Sequence, residues 1–281
     1  MEITLANERA FQLQAQTSLA DARAIVQDKR TGLVAGTVGK MLSRPKPEDI
    51  VLTYAEQRLE PFWQVTIHAR TVFDRTAEYT VQASGQEVQR VTLLGQTLPV
   101  DAKLKGGPGL RLPATEHCEE DQRQSWTFDG ITGKRQSFEK QLQATAVEIP
   151  DLETFSPEDT ILVPPQARAT AVVRQLMSEV VKPVRGQMIH EETVEVETLD
   201  LFLRPVYAFE FNWKPKEKQV VIEFDAVTGE TNTGGKALKD TVRRVLTRDL
   251  VFDMTADAVG ILVPGGSIAV KLVKAVVDRR R

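Results

Sequence analysis

The feature of the sequence that most restricts its fold is an internal repeat with an offset of 144 residues. Residues 59–67 (LEPFWQVTI) and 203–211 (LRPVYAFEF) each have a leucine, then a proline two positions later, then large aromatic side chains. Apolar and polar residues alternate in both copies, and this period of two is typical of half-buried strands. We expect each proline at the start of its strand, where the missing N–H would disturb the ladder least. The repeat therefore predicts two similar strands.

A second pair of similar segments follows these strands. Residues 128–134 (FDGITGK) and 224–230 (FDAVTGE) share Phe, Asp, Thr and Gly at corresponding positions. The pattern Asp-x-x-Thr-Gly is typical of a tight turn in which the aspartate caps the backbone and the glycine has positive φ. The strand and turn signatures are about sixty residues apart in the first copy and fewer than twenty apart in the second. The first copy therefore contains an insertion.

A helix is predicted before the strand in each copy. In the second copy an apolar stripe with helical spacing would pack on a sheet. It consists of Ala169, Val172, Val173, Leu176, Met177 and Val180. We expect this helix to end near Lys182 and Pro183. In the first copy Ser18, three residues before Asp21, has the spacing of a helix cap, and Gly32, Gly36 and Gly39 weaken the helix towards its end.

These signals predict an α+β fold with two tandem units of a helix packed on an antiparallel sheet, plus C-terminal helices. A chain of 281 residues exceeds the usual size of one hydrophobic core and corresponds to about two domains. We expect a first α+β unit with an insertion at 1–150 and a second α+β unit at 151–235. A basic, apolar helical segment is expected at 236–281.

The order of helix, Pro-aromatic strand and Phe-Asp-x-x-Thr-Gly hairpin resembles the PepSY and cystatin-like group of small domains. The resemblance covers residues 160–232 and, with the insertion, residues 15–138. It implies an antiparallel sheet that wraps a helix. It also implies binding, inhibitory or regulatory roles rather than catalysis.

The carboxy-terminal segment differs from the rest of the chain in charge and hydropathy. Residues 236–281 contain ten Lys or Arg and five Asp, a net charge of +5, which leaves −8 for residues 1–235. Residues 256–277 are almost wholly apolar, but a Pro-Gly-Gly run at 264–266 divides them. A membrane span needs about 20 uninterrupted apolar residues, so we do not expect this segment to cross a membrane.

Three roles are open to this segment. It could form a helical hairpin over the sheets, insert into a groove of another protein or of a second copy, or make peripheral membrane contact through residues 256–281. If the segment docks on a protein, the apolar face of its last helix is the predicted contact. That face consists of Leu272, Val273, Val276 and Val277.

No catalytic centre is recognisable in the sequence. We expect surface or hydrogen-bonded structural roles for His68, His117 and His190. The strongest alternative is a predicted loop in which His117 and Cys118 precede an acidic run at 119–121. A structural zinc site usually draws on four N or S ligands in spaced pairs, and acidic neighbours raise a thiol pKa, which opposes activation. We therefore predict no catalytic residue, no metal ligand and no cofactor.

The leading hypothesis is a non-catalytic protein-interaction, adaptor or scaffold protein that docks on a protein partner or self-associates as a homo-oligomer. The strand aromatics share a face with aliphatic residues and the opposite face lacks a basic pattern, so nucleic acid is not an expected partner. The alternative is a hydrolase or metal-dependent enzyme with a site between the repeats or at the His117–Cys118 loop. Because one cysteine cannot form an internal disulfide and the amino terminus lacks signal-peptide features, we expect a cytoplasmic protein.

Overall fold

A computed structural model describes residues 2–43, 45–235, 246–252 and 271–274 of the chain. The fold is mostly β, with 50% of residues in strands and 18% in helices. The strands are β1 (Glu2–Leu5), β2 (Glu8–Leu13), β3 (Ile50–Gln82), β4 (Arg90–Leu93), β5 (Gln96–Pro99), β6 (Gly109–Asp129), β7 (Ala146–Glu148), β8 (Thr160–Leu162), β9 (Met188–Trp213), β10 (Lys218–Asp225), β11 (Thr231–Thr233) and β12 (Lys271–Lys274). The helices are α1 (Leu19–Ser43), α2 (Ala169–Val180) and α3 (Arg248–Val251), with short 3₁₀ helices at Pro47–Asp49, Gln141–Gln143 and Lys214–Lys216.

Within the described residues, ten strands form one mixed sheet around β3 and β9. These two strands run antiparallel, from Ile50 opposite Trp213 to Asp74 opposite Met188. The other edge of β3 carries β8 in parallel and β6 in antiparallel orientation. The other edge of β9 carries β1 and β2 in parallel and β10 in antiparallel orientation. The sheet continues with β12 beside β1, β7 beside β2 and β11 beside β10, whereas β4 and β5 form a separate hairpin.

The two copies of the repeat pair with each other in the middle of this sheet. Glu60 lies directly opposite Arg204, and the repeat offset of 144 residues relates these same two positions. A pseudo-twofold axis therefore passes between them, with the first copy turned onto the second. The Pro-aromatic strand segments and the Asp-x-x-Thr-Gly turns of the two copies lie on opposite sides of this axis.

Equivalent hydrogen bonds fix the start of each helix to the aromatic strand. Trp63 Nε1 donates to the carbonyl of Ala167 just before α2, at 2.8 Å. The hydroxyl of Tyr207 donates to the carbonyl of Thr17 just before α1, at 3.0 Å. Since residues 63 and 207 are related by the repeat offset, the same contact is made on both sides of the axis.

Each helix covers one half of the sheet, and each half contains strands from both copies. The core against α1 combines the start of β3 with the end of β9 and β10, and includes Ala22, Val26, Ile50, Tyr207, Phe209, Phe211, Ile222 and Phe224. The core against α2 combines the end of β3 with β6 and the start of β9, and includes Trp63, Val65, Ile67, Phe128, Val172, Leu176, Val194 and Val196. The two copies are therefore interlocked.

The expected α+β fold of two tandem units with C-terminal helices is wrong. β3 has 33 residues and β9 has 26, far above the usual strand length of about 5–6 residues. Strands of this length cross the pseudo-twofold axis and serve both halves, so one large mixed sheet replaces two small ones. In the predicted last helix, Lys271–Lys274 is instead strand β12, which pairs its backbone with the edge of β1.

Several local expectations are confirmed. The helix of the second copy is α2, and all six residues of its predicted apolar stripe are buried. In the first copy Ser18 Oγ accepts a hydrogen bond from the backbone N–H of Asp21 at 3.1 Å, and α1 is interrupted at Gly36, where φ is +65°. No helix in the described part of the chain combines the length and the apolarity that crossing a membrane requires.

The two Asp-x-x-Thr-Gly segments form the same tight turn. Asp129 Oδ1 accepts the backbone N–H groups of residues 131 and 132, at 3.1 and 2.6 Å. Asp225 Oδ1 accepts those of residues 227 and 228, at 2.9 and 3.0 Å. Gly133 and Gly229 have φ of +70° and +74°, which a residue without Cβ adopts without strain. The predicted turn chemistry is confirmed.

Candidate functional site

A buried ionic cluster surrounds the pseudo-twofold axis. It consists of Glu56, Arg58, Glu60, Arg204, Glu223 and Asp225. Arg204 bridges the two copies, because its Nη2 donates to Glu60 Oε2 at 2.9 Å and its Nη1 donates to Asp225 Oδ2 at 2.6 Å. Both carboxylate side chains are only 7% exposed. Gln141 Nε2 donates to the same Asp225 oxygen at 2.9 Å.

Arg58 is the second cation of the ionic cluster, and its side chain is 3% exposed. Its Nε donates to Glu56 Oε1 at 2.6 Å and its Nη1 donates to Glu223 Oε1 at 3.0 Å. Alternate residues of a strand share a face, so the polar residues at 56, 58 and 60 lie on the face of β3 opposite Leu59. Three buried carboxyl groups and the partly exposed one of Glu223 thus surround two guanidinium groups.

The cluster shifts the pKa of two neighbouring carboxyl groups in opposite directions. Burial raises the pKa of Glu60 above its ordinary value, although the charges of Arg204 and Arg58 oppose the rise. Burial alone would also raise the pKa of Asp225. The hydrogen bond from Gln141 and the charge of Arg204 outweigh that effect and lower the pKa of Asp225 below its ordinary value.

Opposite pKa directions predict opposite pH dependences for two variants. Because the folded-state pKa of Asp225 is lowered, its carboxylate contributes stability above about pH 4 that is lost as the pH falls through the folded-state value. Asp225→Asn should therefore have a lower free energy of unfolding than wild type at neutral pH, and this difference should shrink towards acid pH. The folded-state pKa of Glu60 is raised, so the pH dependence is reversed. Its contribution to stability is present below about pH 4 and is lost as the pH rises.

Glu60→Gln should consequently gain stability relative to wild type as the pH rises, while Asp225→Asn loses it. Urea unfolding midpoints measured between about pH 3 and 8 give both differences. The same direction of change in the two variants would contradict the assigned pKa directions.

A cavity of about 420 Å³ opens beside the ionic cluster, between the two copies of the repeat. Arg204, Glu223 and Asp225 form its inner wall, and Lys140 bonds Glu230 at 2.5 Å in the outer lining. This is where the enzyme alternative placed a site between the repeats. The charged groups of the inner wall form hydrogen bonds and ion pairs with other residues of the chain, which is the arrangement of a structural ion network.

The three histidines each bond an aspartate on a neighbouring strand. His68 Nε2 lies 2.8 Å from Asp121 Oδ1. His117 Nδ1 lies 2.7 Å from Asp74 Oδ1, and His190 Nε2 lies 2.8 Å from Asp74 Oδ2. The bonds from His190 and then His117 lower the pKa of Asp74. These contacts link β6, β3 and β9, so each histidine is hydrogen-bonded in the structure, as predicted.

The predicted loop around His117 and Cys118 is instead the middle of strand β6. His117 lies opposite Asp74 and Cys118 opposite Phe73 in a ladder that is continuous from Gly109 to Asp129. The acidic residues that suggested a loop are the exposed side chains of a long surface strand. Among the described residues, no group of three His, Cys, Asp or Glu side chains is placed to hold a metal ion.

A two-stranded arm projects beyond the end of β9. β9 begins at Met188 opposite Asp74, whereas β3 and β6 stay paired for eight further residue pairs, to Gln82 opposite Gly109. We name residues 75–116 the arm and the β4–β5 hairpin at its end the tip. Surface contacts hold the arm together, among them the bonds of Arg75 and Tyr79 to Glu116, both 2.5 Å.

The tip ends in an apolar turn. Leu94 and Gly95 connect β4 to β5, and their φ values of +49° and +81° are those of a two-residue type I′ hairpin turn. The side chain of Leu94 is 97% exposed. Sequence reasoning missed this arm, because Leu-Gly is not among the residue pairs that signal a two-residue hairpin.

Of the four predicted docking residues, two lie in the described part of the chain and two do not. Leu272 and Val273 lie in strand β12 rather than on a helix, because their backbone pairs with Ile3 and Thr4 of β1. Val276 and Val277 lie outside the described residues, as do 236–245 of the predicted basic helix.

No protein-family model, curated protein or solved structure matches this chain. The resemblance to PepSY and cystatin-like domains stays a prediction.

Proposed function

We propose that this chain is a non-catalytic protein-interaction protein, an adaptor or scaffold, that docks on a partner through the tip of its arm. The observation that carries this proposal is Leu94, a leucine held almost fully in solvent at the end of a projecting hairpin. The ionic cluster supports a non-catalytic role, because Arg204 is bonded to Glu60 and Asp225 within the protein.

Exposed apolar side chains follow the arm to its tip. Tyr79 is 51% exposed, Val81 48%, Leu93 39% and Leu94 97%. Single exposed apolar residues are ordinary on protein surfaces, but several on one projecting element indicate an interaction site. Burying one leucine side chain against a partner contributes about 1.5–3 kcal/mol.

The backbone of Leu94 strengthens this argument. A left-handed conformation disfavours residues with a Cβ by about 1–2 kcal/mol, and Gly, Asn or Asp ordinarily take this turn position. Leu94 therefore combines an unfavourable backbone with an apolar side chain in water. Strain of this kind is characteristic of sites that contact a ligand or a partner.

The test is site-specific photo-crosslinking in intact cells of the native host. A photoreactive residue at position 94 is expected to form protein adducts, which added wild-type protein suppresses and added Leu94→Asn protein does not. The matched control is position 217, because Glu217 is also an exposed turn residue with φ of +49°. Equal labelling at both positions would contradict docking through the tip.

Leu94→Asn separates docking from folding. Asn-Gly is the preferred pair for a type I′ turn, so the free energy of unfolding should stay the same or rise by less than about 1 kcal/mol. Urea unfolding measures this change. A clear loss of stability would show that Leu94 serves the fold, which would remove the argument from its exposure.

We also propose a cytoplasmic location, with which the free, half-buried thiol of Cys118 is compatible. A second docking site at Leu272, Val273, Val276 and Val277 stays a prediction, in addition to docking through the tip of the arm.

A further inference from the structure

We infer that the partner of the arm is a second copy of this chain, and that the tip of one copy docks in an acidic, apolar groove beside β7 of the next. This inference rests on the proposed function, since it names the partner that the tip contacts. It is carried by the apolar lining of the groove, by charge complementarity and by the length of the arm.

The groove is a cavity of about 460 Å³ lined by Gln12 and by residues 147–151 and 154–157. Apolar groups form much of its wall, including Val147, Ile149 and Phe155. Val147 is 50% exposed and lies on β7, which pairs only with β2 in the described part of the chain. The volume is within the range of about 300–1,000 Å³ that is usual for pockets receiving a buried group. An apolar side chain such as Leu94 fits this environment.

The charges of the two surfaces are complementary. The segment 146–159, which contains the groove, has five Asp or Glu and no Lys or Arg. The segment 83–108 at the end of the arm has three basic and two acidic residues, and the basic residues Arg90, Lys103 and Lys105 are all exposed. Complementary charge around an apolar contact favours the correct pairing and speeds association.

Tip and groove lie towards opposite ends of the long strands of one chain. β2, which separates β9 from β7, pairs with β9 from Leu199 onward, eleven residues from Met188, and the arm extends eight residue pairs in the opposite direction. At about 3.3 Å per strand residue, these eleven and eight positions correspond to roughly 60 Å of extended strand between the start of the β2 pairing and the end of the β3–β6 ladder. This placement at opposite ends favours a contact between two molecules.

Tip and groove are different surfaces, so the contact is head-to-tail. In such an assembly the molecule at one end has a free tip and the molecule at the other end has a free groove. Association therefore continues beyond a dimer as the concentration rises. A symmetric dimer, in contrast, would not grow beyond two molecules.

The experiment is sedimentation velocity of the purified full chain over a concentration series. Wild type should exceed the 31.3 kDa of a single chain and grow past a dimer. Leu94→Asn blocks the tip and Val147→Asp blocks the groove, so each variant alone should stay at the single-chain mass. An equimolar mixture should form a species of twice that mass and no larger one, because one intact tip and one intact groove remain.

Ile25→Asn is the control, since Ile25 is an exposed apolar residue, 37% exposed, on α1. It should associate like wild type. Wild type that stays at the single-chain mass at high concentration, or a variant mixture that does not form the double-mass species, would overturn the inference. Crosslinking of position 94 to a different protein in cells would then leave the proposed function standing, whereas no specific crosslinking would remove both.

Discussion

Replacing Arg204 by methionine is expected to lower the free energy of unfolding by about 3–5 kcal/mol, because removing one member of a buried ion network leaves uncompensated charge. Arg204 holds Glu60 and Asp225 together, and both carboxylate side chains are 7% exposed. Without the guanidinium, Asp225 keeps Gln141 and its turn, but two carboxylates of opposite copies face each other at the pseudo-twofold axis. Urea unfolding at neutral pH measures the loss.

Arg111→Met is the matched control for this variant. Arg111 also bridges two carboxylates, Glu78 and Asp101, but all three side chains are well exposed on the arm. Exposed ion pairs contribute little to stability, so this variant should unfold almost like wild type. Equal losses for Arg204→Met and Arg111→Met would contradict the role assigned to burial.

A triple variant tests the cause of the loss. Adding Glu60→Gln and Asp225→Asn to Arg204→Met removes the two negative charges that lose their bonds to Arg204. The triple variant should therefore be more stable than Arg204→Met alone, because fewer buried charges lack compensation. A further decrease would show that hydrogen bonds, rather than charge, make the cluster necessary.

Local structure could be predicted from sequence because its determinants are adjacent in the chain. The apolar stripe from Ala169 to Val180, the cap at Ser18 and the aspartate turns at 129 and 225 each depend on residues within a few positions. Spacing and side-chain chemistry are sufficient to specify such features.

Strand pairing between distant segments could not be predicted in the same way. The repeat offset showed that residues 60 and 204 are equivalent, but equivalence permits two separate units as well as two interlocked copies. The large sheet follows from a direct pairing of β3 with β9, which joins residues between 114 (Asp74 and Met188) and 163 (Ile50 and Trp213) positions apart. Period-two alternation identifies a strand but not its neighbour.

The candidate sites were harder to predict than the fold. Glu56, Arg58 and Glu60 have the alternation of an exposed strand face, yet all three are buried. The acidic residues after His117 suggested a loop, because a long surface strand and a loop share a polar composition. Leu94 precedes Gly95 at the turn between β4 and β5, but Leu-Gly is not one of the usual pairs for such a turn.

Trp63→Ala is expected to lower the free energy of unfolding by about 3–5 kcal/mol, the usual cost of deleting a large buried aromatic side chain. Trp63 is 0% exposed, donates to the carbonyl before α2 and meets the ring of Phe252 edge-on at 5.4 Å. Its removal leaves a cavity under α2 and an unpaired carbonyl at Ala167. Guanidinium unfolding followed by far-UV circular dichroism measures the change.

The pseudo-twofold relation sharpens this prediction, because Trp63 and Tyr207 anchor different halves of the sheet. Trp63→Ala should loosen α2 before α1, and Tyr207→Ala should loosen α1 before α2, which amide hydrogen exchange resolves along the chain. Tyr79→Ala, at an exposed tyrosine of the arm, should change neither helix. If both buried variants raised exchange equally in α1 and α2, the sheet would unfold as one cooperative unit, and the two halves would have no separate stability.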